Sequence, residues 1–181
     1  MPEWKSFTFG EDGEATPTAE APTPASTNPA MEPDEYAAKW GTEVSEVTIA
    51  RIDAILEGDG LPHCSSEFIA FTQLEDIPFQ VHREPADAAW AQIETRILPV
   101  GEGHTEASLQ AIANRWNTEH LQPTVFPIES EDGWILVAAS RFFVGEGLSD
   151  RQIHAMLRRG LIIGVSAAQE VPSFFDEASA E

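Results

Sequence analysis

Apolar residues recur every three or four positions in three separate segments of the chain, which is the spacing of one buried face of an α-helix. These segments are residues 44–60, residues 105–120 and the stretch that begins at Ser149. The predicted buried positions are Val44, Val47, Ile52, Ile55 and Leu56 in the first helix, Leu109, Ile112, Ala113 and Trp116 in the second, and Ile153, Met156, Leu157, Leu161 and Val165 in the third. The pattern therefore predicts three amphipathic helices.

Capping residues mark the start of two of these helices. Thr105 suits the N-cap of the second helix, but we do not expect a capping box there because Ser108 stands where Glu or Gln is usual. Ser149 and Gln152 have the spacing of a capping box at the start of the third helix.

The remaining segments alternate between apolar and polar residues, which is the period of a half-buried strand. Three to four strands are predicted between the first and second helices, and a hairpin that turns at residues 131–133 follows the second helix. In two of the strands the predicted faces are Phe79, Val81 and Arg83 against Gln80 and His82, and Ile93 and Ile97 against Trp90, Gln92, Glu94 and Arg96. Because the order is α-β(3-4)-α-β-β-α, we expect an α+β fold with helices packed on an antiparallel sheet.

The front of the chain differs from the rest in composition. Residues 10–35 are rich in Pro, Ala, Thr and Glu and contain few large apolar side chains, so they cannot bury enough surface to offset the entropy of ordering. We therefore expect a disordered tail over residues 1–40, a domain over 41–176 and a flexible C-terminal tail over 177–181. Trp4, Phe7 and Phe9 are interpreted either as chance aromatics of a mobile terminus or as a short linear motif.

The net charge of the chain limits the kinds of molecule that it is expected to bind. Lys and Arg total 10 against 31 Asp and Glu, which gives a formal net charge of -21 in 181 residues. Such a surface disfavours nucleic acid and anionic membrane and favours a protein partner, by charge a basic one. No apolar run reaches the roughly 18 residues of a membrane helix, and the first residues lack the pattern of a signal peptide, so we expect a cytoplasmic protein.

The residues that usually carry chemistry form no recognisable motif. None of the five histidines has the spacing of a zinc site, the single cysteine excludes an intrachain disulfide, and nucleotide-binding glycine loops are absent, so neither a metal nor a cofactor is predicted. Cys64 is most simply a small buried side chain of a strand. An enzyme with a dispersed active site would have to use Cys64, His82 and His120.

Gly160 and Gly164 lie four residues apart, on one face of the predicted third helix. Each glycine in a helix interior costs about 1 kcal/mol, and the usual compensation is close approach of another backbone or side chain. The approaching element is either the domain's own sheet or a second chain, so the two glycines are a candidate interface.

The stretch "LQAIANRWNTEHLQPTVFPIESEDGWILVAASRFFVGEGLSDRQIHAMLRRGL" resembles the YbjN family of bacterial proteins, and the resemblance extends over residues 44–168. The family's N-x-W-N helix end is carried here by Asn114, Trp116 and Asn117. We interpret this motif as structural, with Trp116 filling the junction of helix and sheet and both amides bonding backbone at the helix end. A binding site is the alternative, because exposed Asn amides also bind peptide backbones.

The resemblance implies a fold similar to type III secretion chaperones, often dimeric, with no catalytic residues to carry over. Together with the missing catalytic motifs, it predicts a non-enzymatic protein-binding module that is chaperone-like or regulatory. A scaffold acting through its N-terminal tail is an alternative. A weak homodimer is also expected, since a two-fold contact is the commonest closed assembly.

Overall fold

The computed structural model describes residues 7–9, 15–17, 39–83, 85, 87–99 and 104–178, and for residues 7–9, 15–17 and 176–178 it describes the backbone only. The chain divides into two compact units, Met1–Pro33 and Asp34–Glu181. Among the described residues, no helix combines the length and the apolar character needed to cross a membrane.

The first unit contains a short antiparallel hairpin. Strand β1 is Phe7–Phe9 and strand β2 is Ala15–Pro17, with Thr8 opposite Thr16. This pairing departs from the expectation of disorder over residues 1–40, because composition does not reveal the backbone pairing of two three-residue segments. The other residues of that tail up to residue 38, including Trp4, lie outside the described part of the chain, so their disorder stays a prediction.

The second unit is built on one antiparallel sheet with the strand order β3-β4-β5-β6-β8-β7. The strands are β3 His63–Ser65, β4 Ile69–Leu74, β5 Ile77–His82, β6 Trp90–Ile97, β7 Thr124–Ser130 and β8 Gly133–Phe143. The helices are α1 Ile49–Gly58, α2 Glu106–Glu119, α3 Asp150–Glu170 and α4 Ser173–Ala178. The predicted α+β class and element order are confirmed, with four strands in the first block and one short additional helix.

The described helices pack against the same face of the sheet. Strand register places Val81 opposite Ile93 and Ala138 opposite Val125, all on the helix-covered face. The buried residues form two clusters there, one between α1, α3 and strands β4 to β6, and the other between α2, the end of α3 and strands β7 and β8. Since α3 contributes to both clusters, this 21-residue helix joins the two halves of the core.

Two helix starts differ from the prediction. Helix α1 begins at Ile49 with Thr48 as its N-cap, so Val44 lies before the helix and is 58% exposed instead of buried. At α2, Thr105 and Ser108 do form a capping box, because the Ser108 hydroxyl accepts the Thr105 N–H at 3.0 Å. A serine therefore serves where Glu or Gln is usual. The capping box of Ser149 and Gln152 is confirmed.

Both predicted domain boundaries are corrected. Trp40 packs against the first core cluster and its ring lies 6.1 Å from that of His154, so the folded domain already includes a residue assigned to the tail. At the other end, α4 runs to Ala178 and takes up the start of the predicted flexible tail.

Gly160 and Gly164 face the sheet of their own domain. A β-carbon on Gly160 would lie 2.5 Å from Ile93 Cδ1, and one on Gly164 would overlap the ring of Phe79. Both glycines are buried against these side chains, so the interpretation of the pair as an interface with another chain is wrong. Their cost in helix propensity is offset by close packing of α3 on the sheet.

Arg83 follows β5 on the buried face, as the alternation predicts. Its guanidinium donates to the carbonyl oxygens of Ala88 at 2.7 Å and Val47 at 2.5 Å, and it pairs with Glu46. A buried charge is tolerated only when it is hydrogen-bonded in this way. These bonds of Arg83 hold the segment before α1 against the sheet.

Candidate functional site

The face of the sheet opposite the helices, here called the outer face, carries the polar side chains that the alternation predicts. Its central residues are Phe71, Gln80, His82, Trp90, Gln92, Glu94, Arg96, Arg141 and Phe143. Strand pairing places Gln80 opposite Glu94 and Arg141 opposite Gln92, so residues distant in sequence become neighbours. No described helix covers this face.

Glu94 is the centre of a hydrogen-bonded network on the outer face. Its carboxylate accepts from the amides of Gln80 and Gln92 and lies 3.3 Å from His82 Nε2. Burial alone would raise the pKa of Glu94, but the hydrogen bonds from His82, Gln80 and Gln92, with the charge of His82, outweigh burial and lower it. The network extends one strand further because Arg141 Nε donates to Gln92 Oε1 at 2.6 Å.

Aromatic side chains flank this network and remain open to solvent. Trp90 and Phe143 pack edge to face, with ring centroids 5.5 Å apart, and are 54% and 52% exposed. Phe71, two strands away, is 45% exposed. Large exposed apolar side chains grouped on one face are typical of a surface that binds another macromolecule.

The charge of the outer face differs from that of the whole chain. The six strands of this sheet contain only two of the chain's 31 acidic residues, Glu94 and Glu129. Glu129 is four residues after the buried Val125 on β7 and therefore lies on the helix-covered face. The outer face also carries Arg96 and Arg141. The acidic character of the protein therefore lies mainly outside its central strands.

The N-x-W-N motif lies against the free edge of β7, which is the edge that does not pair with β8. Trp116 is 1% exposed, and its indole N–H donates to the Pro123 carbonyl at 2.9 Å. The Asn117 amide donates to Val125 O at 2.7 Å and accepts from Val125 N at 2.8 Å, which pairs with the strand's free edge as a neighbouring strand would. The structural interpretation is thus observed for these two residues, and Asn117 protects the edge from pairing with another chain.

Asn114 behaves differently from the prediction. Its side-chain oxygen accepts from Gln110 Nε2 at 2.9 Å on the exposed side of α2, and it makes no hydrogen bond to the described part of the following connection. The reason is geometric, because Asn114 lies three residues, or about 4.5 Å along the helix axis, before Asn117 and so further from the connection that follows the helix.

The three candidate residues of a dispersed active site lie on different elements. Cys64 is exposed on β3, so its interpretation as a buried strand residue is wrong, and no hydrogen bond joins it to a described histidine. His82 belongs to the Glu94 network on β5. His120 follows α2, where its ring stacks on Trp116 at 3.6 Å. Within the described ranges no group of three His, Cys, Asp or Glu side chains has the arrangement of a metal site.

A cleft of about 360 Å³ lies between α1 and α3 and is lined mainly by leucines. At its wall the buried His154 lies 2.8 Å from Asp59 Oδ2, and Lys39 lies 3.1 Å from the other oxygen of that carboxylate. Sequence reasoning missed this cluster, because its members are 20 and 95 positions apart and carry no motif. This cluster of Lys39, Asp59 and His154 connects the start of the domain to α1 and α3.

The one-sided antiparallel sheet and the protected β7 edge define an α+β domain without a recognisable catalytic centre among its described residues. The sequence model of the YbjN family, described as "Putative bacterial sensory transduction regulator", matches residues 48–171. The chain belongs to this family, which confirms the resemblance drawn from the N-x-W-N segment. A search of curated proteins finds no match.

Two solved structures are similar to this chain. The crystal structure of YbjN, "a putative transcription regulator from E. coli", superposes with a TM-score of 0.55 at 15% identity, covering 76% of this chain and 96% of that chain. The HopA1–SchA chaperone–effector complex gives a TM-score of 0.47 at 12% identity, covering 70% of this chain and 98% of that chain. The similarity to YbjN supports the fold alone.

Proposed function

We propose that this protein is a non-enzymatic protein-binding module, regulatory or chaperone-like and cytoplasmic, that binds a partner polypeptide through the outer face of its sheet. The observation that carries the proposal is the group of exposed aromatics, Phe71, Trp90 and Phe143, on a face of the sheet with few charges. Exposed Trp and Phe side chains are the residue types that most often contribute to binding energy at protein interfaces.

The state of the sheet edges favours a face over an edge as the binding surface. At β7 the backbone groups of Val125 are occupied by Asn117, and Pro127, two residues on, offers no N–H at the same edge. At the other edge, β3 is only three residues long. Strand addition therefore has little backbone to pair with, whereas the outer face presents side chains from several strands.

Site-specific photo-crosslinking in cells tests the proposal. A photoreactive amino acid replaces Phe71 on the outer face, and a matched variant carries it at Ala111, which is exposed on α2. We expect a discrete adduct from position 71 only, which unlabelled wild-type protein competes away and the double substitution Trp90→Ala/Phe143→Ala abolishes. An adduct equally strong from position 111, or one that survives the double substitution, would contradict the proposal.

The mass of the adduct also separates the kinds of partner. An adduct of twice the chain's mass would show that the outer face joins two copies of this chain in the expected weak homodimer. An adduct with a different polypeptide identifies the partner.

A further inference from the structure

Arg141 is held in place by the outer-face network with part of its guanidinium unused. Its Nε donates to Gln92 Oε1 at 2.6 Å, and Gln92 in turn donates to Glu94. Among the described residues, no carboxylate lies within ion-pair distance of Arg141. Fixing the side chain through Nε reduces the entropy lost when its remaining N–H groups bind a ligand.

Arg96 provides a second cation on the same face. It is exposed on β6, and no described carboxylate pairs with it. Arg141 is opposite Gln92, and Gln92 and Arg96 are four residues apart on β6, so the Cα positions of the two arginines are separated by about 14 Å along the strand direction at about 3.4 Å per residue.

The carboxylate between them does not balance both cations. Glu94 is engaged by Gln80, Gln92 and His82, which fix its oxygens inside the network. On the side of Arg141 away from Arg96, the pair of Trp90 and Phe143 provides an apolar contact surface. The outer face therefore presents two separated cations and an aromatic pair.

From this arrangement we propose that the outer face recognises an extended acidic segment whose two carboxylates are four residues apart, with an apolar side chain two residues outside one of them. This proposal rests on the protein-binding function proposed above and specifies its partner. Residues i, i+2 and i+6 of an extended peptide point to one side, so an apolar residue at i and carboxylates at i+2 and i+6 reach the face together. This partner segment is acidic, whereas the net charge of the chain predicts a basic partner. The difference arises because binding depends on the local charges of the outer face.

Three peptides test the charge preference directly. The acidic probe is the fluorescein-labelled peptide Gly-Phe-Val-Glu-Val-Ser-Val-Glu-Gly-amide, and the two others replace both Glu residues with Gln or with Lys. Affinities for the full chain are measured by fluorescence anisotropy, and the contact surface is mapped by amide chemical shifts. We expect the acidic probe to bind about tenfold more tightly than the Gln probe, the gain of about one charge-assisted hydrogen bond, with shifts on β6 and β8.

Single substitutions assign the preference to the two arginines. Arg96→Gln and Arg141→Gln should each weaken binding of the acidic probe more than binding of the Gln probe, and so reduce the acidic preference. Arg159→Gln, an exposed arginine on α3, is the matched control and should change neither affinity. Circular dichroism of each variant checks that it is folded.

The possible outcomes separate this proposal from the proposed function. Equal binding of the acidic and Gln probes on the outer face would overturn the acidic preference and leave protein binding there intact. Tighter binding of the Lys probe, shifts confined to the helices, or no binding would also overturn it. Whether the outer face binds a protein at all is decided independently by the crosslinking from position 71.

Discussion

Replacing Trp116 with alanine should destabilise the domain more than most single substitutions. The ring is 1% exposed within the second core cluster, and removing a buried Trp side chain costs about 3–5 kcal/mol through lost burial and a residual cavity. The substitution also leaves the buried Pro123 carbonyl without its indole donor, which favours the upper end of that range. Since domains are stable by about 5–15 kcal/mol, this loss is a large part of the total stability.

Urea unfolding followed by far-ultraviolet circular dichroism measures this effect without relying on tryptophan fluorescence. Trp90→Ala is the matched control, because Trp90 is 54% exposed and should cost less than about 1 kcal/mol. Trp116→Phe keeps an aromatic ring but loses the N–H donor, and we expect a loss of about 1–3 kcal/mol. Equal unfolding midpoints for Trp116→Ala and Trp90→Ala would refute the structural role assigned to the motif.

Further predictions concern packing, the strand edge and pH. Gly164→Ala should lose about 1–2 kcal/mol net, because overlap with the Phe79 ring exceeds the gain in helix propensity, and adding Phe79→Leu should recover most of the loss in urea unfolding. Asn117→Ala should cost about 1–3 kcal/mol since it leaves both backbone groups of the strand edge without partners, whereas Asn114→Ala should change the midpoint little. Because the pKa of Glu94 is lowered in the folded state, its stabilisation is present above the ordinary value of 4.5 and is lost as the pH falls below that value. The difference in unfolding free energy between wild type and Glu94→Gln should therefore be smaller at pH 3 than at pH 6, and a constant difference would contradict the network.

Local periodicity was sufficient to predict helices α1 to α3, the strands of the six-stranded sheet and most of their buried faces, because amphipathic spacing is a property of each segment by itself. The prediction was wrong for Val44, where the capping hydroxyl of Thr48 starts the helix later than the apolar pattern does. It also missed the role of Ser108, since a serine hydroxyl can both donate and accept at a helix start.

The candidate site required information that the sequence does not contain. The Glu94 network depends on the register that places Gln80 opposite Glu94 and Arg141 opposite Gln92, and this register comes from the pairing of three strands. The alternation indicated which residues share the outer face, but not which of them are neighbours. Likewise, the pairing of Asn117 with the edge of β7 depends on where α2 packs.

The affinity of the crosslinked partner tests the central claim most directly. With the partner purified, isothermal titration compares wild type with Trp90→Ala/Phe143→Ala and with Gln110→Ala, a control exposed on α2. We predict that the double variant, folded by circular dichroism, binds at least about a hundredfold more weakly, as expected when two hot-spot aromatics of about 1.5 kcal/mol or more each are lost. The control should bind like wild type. Unchanged affinity in the double variant, or a loss confined to Gln110→Ala, would show that the outer face is not the binding surface.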